Sequence, residues 1–267
     1  MEEPLALAIE TSSRVGSIAL ARGPVLLAES MFSAPLQHSA EVFPAIGQLL
    51  NRFQFIPSDI AQVYVAIGPG SFTGLRIAVT MAKAMHLANA TRIVTVNSLD
   101  VIAANIGDAS SAISLQDSES LLLNRVAAVL DAKRGEFYAA VYERVRQTER
   151  TDLTAPAAET GYVIPAPQDC IWRKILPDCL IAPNELINRF GVEAPLGVLG
   201  DGLLYHRDEF IAPGVCVLDE KCWSPRASNV HRLGYQRARA GLLADALMLT
   251  PFYLRGPHVT VKKSGIF

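Results

Sequence analysis

A helix with almost no polar face is the feature that most constrains how this chain can fold. It begins in the stretch Gly68–Val79, GPGSFTGLRIAV, which follows a short apolar run, VYVAI, at Val63–Ile67. Apolar run, glycine turn and helical spacing read as a strand passing through a tight turn into a helix. Leu75, Ile77, Ala78, Val79, Met81, Ala82, Ala84, Met85, Leu87 and Ala88 go round nearly its whole circumference, leaving only Arg76, Thr80 and Lys83 as a polar stripe. A helix apolar all round is normally buried all round. Gly74, Ala78 and Ala82 make a small-residue ridge that another helix can approach closely, either within this domain or from a second chain.

The glycine turn is not a recognised phosphate cradle. A P-loop needs lysine after its last glycine, and here Leu75 follows Gly74. Gly68, Gly70 and Gly74 give G-x-G-x-x-x-G, one residue longer than the dinucleotide fingerprint. The favoured reading is a helix capped by Ser71 or Thr73, with anion binding at its start a secondary possibility.

The rest of the first half supplies strands around this helix. LALAI (Leu5–Ile9), SIALA (Ser17–Ala21) and VLLAES (Val25–Ser30) are joined by tight turns and must be antiparallel neighbours. HSAEVFPAIGQLLNRF has helical spacing, with Ser39 as the expected N-cap and Pro44 predicting a kink or a late start. RIVTV (Arg92–Val96) reads as a strand, and NSLDVIAANI as a helix capped by Asn97 or Ser98. Residues 108–122 read as a linker between lobes 1–107 and 123–267. NRVAAVL, DAKRGE and FYAAVYE then repeat the opening order of strand, polar turn led by an acid, strand. Two related halves or two unrelated hairpins explain that equally well. Residues 148–172 show no period, PNELINRF reads as a short helix, PLGVLGDG as a strand into a glycine turn, and SPRASNVHRLGYQRARAGLLA as a late helix.

With 267 residues the chain can bury a core without disulfides or metal. A net charge of −2 gives no overall attraction for nucleic acid. The cysteines, Cys170, Cys179, Cys216 and Cys222, have no zinc spacing. An acidic start, and no apolar run near the roughly 18 residues of a membrane span, lead us to expect a cytoplasmic protein.

AIETS, HSAEVFP, GPGSFTGLRI, DAKRGEFY, GDG and YLR occur in this order across nearly the whole chain. In these motifs it resembles the bacterial TsaB (YeaZ) family. The resemblance implies an α/β fold of the actin/Hsp70/sugar-kinase-like (ASKHA) type, two related lobes each with a mixed sheet flanked by helices. It also implies a part in making N6-threonylcarbamoyladenosine beside the tRNA anticodon, as the non-catalytic scaffold that a catalytic paralogue, TsaD, requires and that recruits the small ATPase TsaE. The paralogue's H-x-x-x-H metal pair is absent here, because no two of His38, His86, His206, His231 and His258 are four apart.

By the same resemblance, the HSAEVFP helix and the helix after the glycine turn form one surface, used in a homodimer and in the complex. The expected interface residues are His38, Phe43, Ile46, Leu50, Gly74, Ile77, Ala78, Met81 and Met85, and tryptophan at Ala78 is expected to block association while leaving the monomer folded. Glu10, Thr11, Asp131, Gly200, Asp201 and Gly202 fall where the fold's nucleotide enzymes hold metal, phosphate and adenosine. Glu10 is one methylene longer than the aspartate usual there, and either acid can equally cap a turn. No cofactor is expected for the chain itself, with ATP and magnesium a possibility at the subunit junction. The alternative is a nucleotide-dependent phosphotransferase or hydrolase acting alone through these residues. A third reading, tRNA contact, rests on Arg226, Arg232, Arg237, Arg239, Arg255, Lys262 and Lys263, opposed in that stretch by Asp245 alone.

Overall fold

The computed structural model describes residues 3–33, 37–108, 123–146, 163–166 and 170–256. The first lobe runs β1 (Leu5–Glu10), β2 (Ser17–Arg22), β3 (Val25–Met31), α1 (His38–Arg52), β4 (Ile60–Ala66), α2 (Phe72–Asn89) and β5 (Arg92–Val96). Two helices follow, α3 (Ser98–Ala103) and α4 (Asn105–Asp108). The second lobe contains β6 (Arg125–Asp131), β7 (Phe137–Arg146), β8 (Val163–Ala166), β9 (Cys170–Ile181), α5 (Pro183–Phe190), β10 (Leu196–Leu199), α6 (Leu203–His206) and β11 (Val215–Val217). A long helix, α7 (Ala227–Arg239), comes last.

The first sheet has the order β3-β2-β1-β4-β5 and the second β11-β10-β6-β7-β9-β8. Taken from β9, the second order is β9-β7-β6-β10-β11, the first order repeated with β8 added outside. Directions match as well: β1 is antiparallel to β2 and parallel to β4, and β6 is antiparallel to β7 and parallel to β10. The hairpin repeat in the sequence is therefore a repeat of the fold, two lobes with mixed sheets flanked by helices.

Side-chain alternation gives the first sheet two different faces. Leu5, Leu7, Ile9, Ile18, Leu20, Val63 and Val65 pack with residues of α1 and α2 in one core. Ala6, Ala8, Ala19, Tyr64 and Ala66 point the other way, into a core shared with α3, α7 and the second sheet. Small residues on that face let α7 lie close, and a Cβ at Gly234 would overlap the Tyr64 ring.

Four expectations are corrected, and one stretch read only as aperiodic gains its structure. Ser39 lies inside α1 rather than capping it; Gln37 precedes the helix and makes no side-chain cap bond. The late start offered for Pro44 does not occur, because α1 begins at His38 and runs through it. The aperiodic stretch 148–172 runs into β9, a twelve-residue strand, and contains β8. The late helix stops at Arg239, short of the predicted GLLA, where Gly241 turns the chain at φ +76°. Finally, 123–267 is not one lobe: α7 packs on β1, β2, β4 and β5, and Ala244 N–H bonds to the Ile93 carbonyl at the edge of the first sheet. The predicted linker, apart from Asp108 at the end of α4, lies outside the described residues.

Buried charges bolt the lobes together. Lys174 Nζ on β9 lies 2.6 Å from Asp100 Oδ1 on α3 and 2.8 Å from Asp178 Oδ1, and Tyr142 donates to Asp100 Oδ1 at 2.6 Å. Asn97, the cap of α3, also donates to Asp178. Burial pushes the Asp100 carboxyl up to about 6 despite these partners.

Candidate functional site: a helical groove and the loops between the lobes

The outer face of α2 makes a groove with α1. Its cavity, about 670 Å³, has almost wholly apolar walls: Phe43 and Pro57 on one side, Phe72, Ile77, Met81 and Met85 on the other. Phe43 is 65% exposed and Phe72 38%. Arg76, one turn along, stacks its guanidinium 4.1 Å over the Phe72 ring. Exposed aromatic rings beside an apolar trough are what a protein interface offers as anchors.

The opposite face of α2 is fixed from within. Ser71 Oγ accepts from Gly74 N–H, so Ser71 is the cap. Ser71 N–H donates to the Ser12 carbonyl at 2.7 Å, and Thr11 Oγ1 donates to the Gly74 carbonyl at 2.8 Å. The backbones meet so closely that a Cβ at Gly74 would overlap the Thr11 carbonyl oxygen. The small-residue ridge therefore serves this contact, with Ala78 and Ala82 wholly buried behind it.

The second place of interest is where strand ends of the two lobes meet. Glu10, the last residue of β1, is fully buried; Ser12 donates to its Oε1 through both N–H and Oγ, each at 2.5 Å. Its Oε2 is buried without a hydrogen-bond partner among the described residues, and burial raises its carboxyl to about 7. Asp131 ends β6. Although burial alone would raise it, the Lys133 ammonium at 2.6 Å, the Lys133 N–H and nearby His206 together hold its carboxyl below the ordinary value. Asp201 follows β10, and its Oδ2 accepts the Arg14 N–H at 3.3 Å. Burial raises Asp201 to about 6 against the pull of its Arg14 and Ser13 hydrogen bonds. Arg14 also stacks 5.0 Å over Tyr205. Gly200, at φ +130°, brings this turn against β6, where a Cβ would overlap the Val129 carbonyl oxygen.

The family model described as "TsaD: tRNA N6-adenosine threonylcarbamoyltransferase" matches residues 33–167, just over half of the chain. The chain belongs to the TsaB (YeaZ) family. A Bacillus subtilis relative named tRNA threonylcarbamoyladenosine biosynthesis protein TsaB is 36% identical over 51% of this chain and 54% of its own length. The Escherichia coli protein of that name is 29% identical over 52% and 54%. The chain thus spans about half the length of these curated relatives. The solved structure of YeaZ from Pseudomonas aeruginosa superposes with a TM-score of 0.69 at 22% identity, covering 94% of this chain and all of that one. Another Pseudomonas aeruginosa structure, an uncharacterized protein described as similar to peptidase YEAZ, superposes with the same score at 21% identity. These two likenesses concern the fold.

On this TsaB-family fold, the expected interface residues divide. Phe43, Ile46, Ile77 and Met85 keep exposed surface, and Met81, though 5% exposed, lines the groove. Gly74, Ala78, Leu50 and His38 do not face outward. His38 instead fixes the start of α1, with Nε2 2.9 Å from the Ser13 carbonyl oxygen. A tryptophan at Ala78 would therefore disrupt the monomer itself. Sequence reading missed Phe72 and Arg76 on the groove, which share a helical face at i and i+4 spacing.

Glu10, Asp131, Gly200, Asp201 and Gly202 do come together at the lobe junction, whereas Thr11 is committed to α2. The residues present do not fit a bare phosphate, because three carboxylates converge, Arg14 N–H is taken by Asp201 and the Lys133 ammonium by Asp131. Among the described residues no cluster of three or more acidic, histidine or cysteine groups could hold a metal ion. No described helix is long and apolar enough to cross a membrane. At least three of the seven basic residues are engaged within the chain: Arg226 pairs with Glu29, Arg232 donates to the Ala104 carbonyl and Arg255 to the Ala132 carbonyl. Lys262 and Lys263 lie outside the described residues.

Proposed function

We propose that this chain is a non-catalytic partner subunit in the formation of N6-threonylcarbamoyladenosine on tRNA, docking a TsaD-type catalytic paralogue through the α1–α2 groove. The observation that carries the reading is the groove itself, an apolar trough flanked by exposed Phe43 of α1 and Phe72 of α2, the helix whose other face is fixed in the core. A homodimer of the isolated chain would use the same face, and a TsaE-type ATPase and the tRNA would join through the complex. The functional names carried by relatives, together with family membership, support the reaction named. No cofactor of this chain's own enters the proposal; ATP and magnesium act at the junction of the assembled complex. A cytoplasmic setting, where tRNA is modified, belongs to the same proposal.

Light scattering on a size-exclusion column tests the reading, using the chain alone and then mixed with a TsaD-type paralogue, with and without ATP. A one-to-one complex that replaces any homodimer is expected. If the two never associate, the scaffold reading fails. The alternative, an independent phosphotransferase or hydrolase, then requires magnesium-dependent ATP turnover by the chain alone that is lost in both Glu10→Ala and Asp131→Ala.

A further inference from the structure

The motif Tyr253–Arg255, YLR, takes no part in the docking reading, yet it joins both places described above. After α7 the chain follows the edge of the first sheet, burying Ala246 and Leu249 in the α1–α2 core. Phe252 N–H then donates to the Ile67 carbonyl at 2.7 Å, which pins the segment to the glycine turn ahead of α2. The next residue, Tyr253, stacks on Phe72 of the groove with ring centroids 5.0 Å apart. Its hydroxyl is buried and has no hydrogen-bond partner among the described residues, so the ring is held by stacking and packing.

Two residues further on, the chain reaches the other lobe. Arg255 Nη1 donates to the Ala132 carbonyl at 2.6 Å and to the Lys133 carbonyl at 3.4 Å, while Nη2 pairs with the Glu136 carboxylate. These groups belong to the turn between β6 and β7, which begins at Asp131. In that turn Lys133, Arg134 and Gly135 have φ of +66°, +63° and +73°. Two of the three carry a Cβ, so the left-handed conformation is uphill for them and needs outside restraint. From within, Asp131 Oδ1 accepts the Lys133 N–H at 2.7 Å. From outside, Arg255 holds the turn with both terminal nitrogens, Nη1 on the two carbonyls and Nη2 on the Glu136 carboxylate.

We propose that Pro251–Arg255 is a tie coupling the docking groove to the Asp131 turn, so that a partner seated against Phe72 tightens that turn through Tyr253 and Arg255. Coupling of this kind is reciprocal: a closed turn favours docking by the same factor by which docking favours the closed turn. The groove's occupant is taken from the docking reading above; the tie itself stands on this chain alone.

Hydrogen–deuterium exchange on the full chain tests it. Arg255→Ala is expected to raise exchange across residues 132–136 by about tenfold while β1 and β6 stay protected. Phe72→Ala is expected to raise exchange in the same turn, although the ring partner of Phe72 is Tyr253. Phe72 is partly exposed, so this variant keeps its fold, and Tyr253→Ala interrogates the same connection from its middle. A turn that exchanges at the wild-type rate in Phe72→Ala and Tyr253→Ala overturns the tie.

With a TsaD-type paralogue bound, the wild-type turn gains protection, and Arg255→Ala still binds but loses that gain. Equal protection in both proteins also overturns the coupling. Failure of the paralogue to bind wild type removes the docking reading instead, and the free-chain variants still decide the tie.

Discussion

Burying Glu10 at the end of β1 has a measurable cost in stability. Its carboxyl titrates near 7 in the folded chain against an ordinary value of 4.5, with burial as the main cause. Between those values the folded state holds a proton that the unfolded state has released, so stability falls as pH rises from about 4.5 to 7. The size is about 3 kcal/mol across that window. Glutamine keeps the acceptor for both Ser12 hydrogen bonds and cannot ionise. Glu10→Gln is therefore expected to match wild type at pH 4.5 and to exceed it at pH 8, read from urea unfolding at both values. Asp100 titrates in both proteins and cancels in the comparison, whereas Asp201 repels the Glu10 carboxylate and adds to the gain at pH 8. Gly74→Ala should act at any pH, because its Cβ would meet the Thr11 carbonyl. A loss of about 3 kcal/mol, measured by the same unfolding curves, is expected for forcing those backbones apart.

At the scale of elements, the two faces of α2 should respond differently to substitution. Ala84 is exposed on the groove side, so Ala84→Arg is expected to leave the melting temperature unchanged while weakening paralogue binding at least about tenfold, measured by titration calorimetry. Ala78→Trp inserts an indole into a fully buried position and should fail to give folded monomer.

That division marks what the sequence could convey. Periodicity located α2, and its cap, Ser71, is one of the two residues expected; strand β5 and helix α5 were read to the residue, because turn residues bound them sharply. A helix apolar on every side carries no phase, so which small residues faced inward depended on β1, sixty residues away. Strand β9 was illegible for a different reason. Its polar and charged positions Arg173, Lys174 and Asp178 break the alternation; Lys174 is there to meet Asp100 across the lobes, and Asp178 pairs with Lys174 and accepts from Asn97. The candidate site was half legible: its acids and glycines were found through motif order, whereas Arg14, Lys133 and Arg255 act through backbone contacts that no spacing announces.

The whole molecule is less divisible than its two sheets suggest. One core runs from Ala6 and Tyr64 of the first sheet, through α3 and α7, to Val141 and Trp172 of the second. Unfolding by urea is accordingly expected to be a single transition, with tryptophan fluorescence and circular dichroism coinciding. Lys174→Met leaves the fully buried Asp100 and the half-buried Asp178 without their cation, and should shift that transition by about 3 kcal/mol without splitting it. Two separate transitions in either protein would contradict a common core.

The order in which the chain is made now has a consequence. Chains leave the ribosome from their N-terminus, and early domains ordinarily fold as soon as they emerge. Here the alanine-rich face of the first sheet waits for α7, whose residues 227–239 are synthesised more than a hundred residues after β5. Until then Ala6, Ala8, Ala19 and Tyr64 have no permanent cover, so the first lobe reaches its final form only after the second has been made.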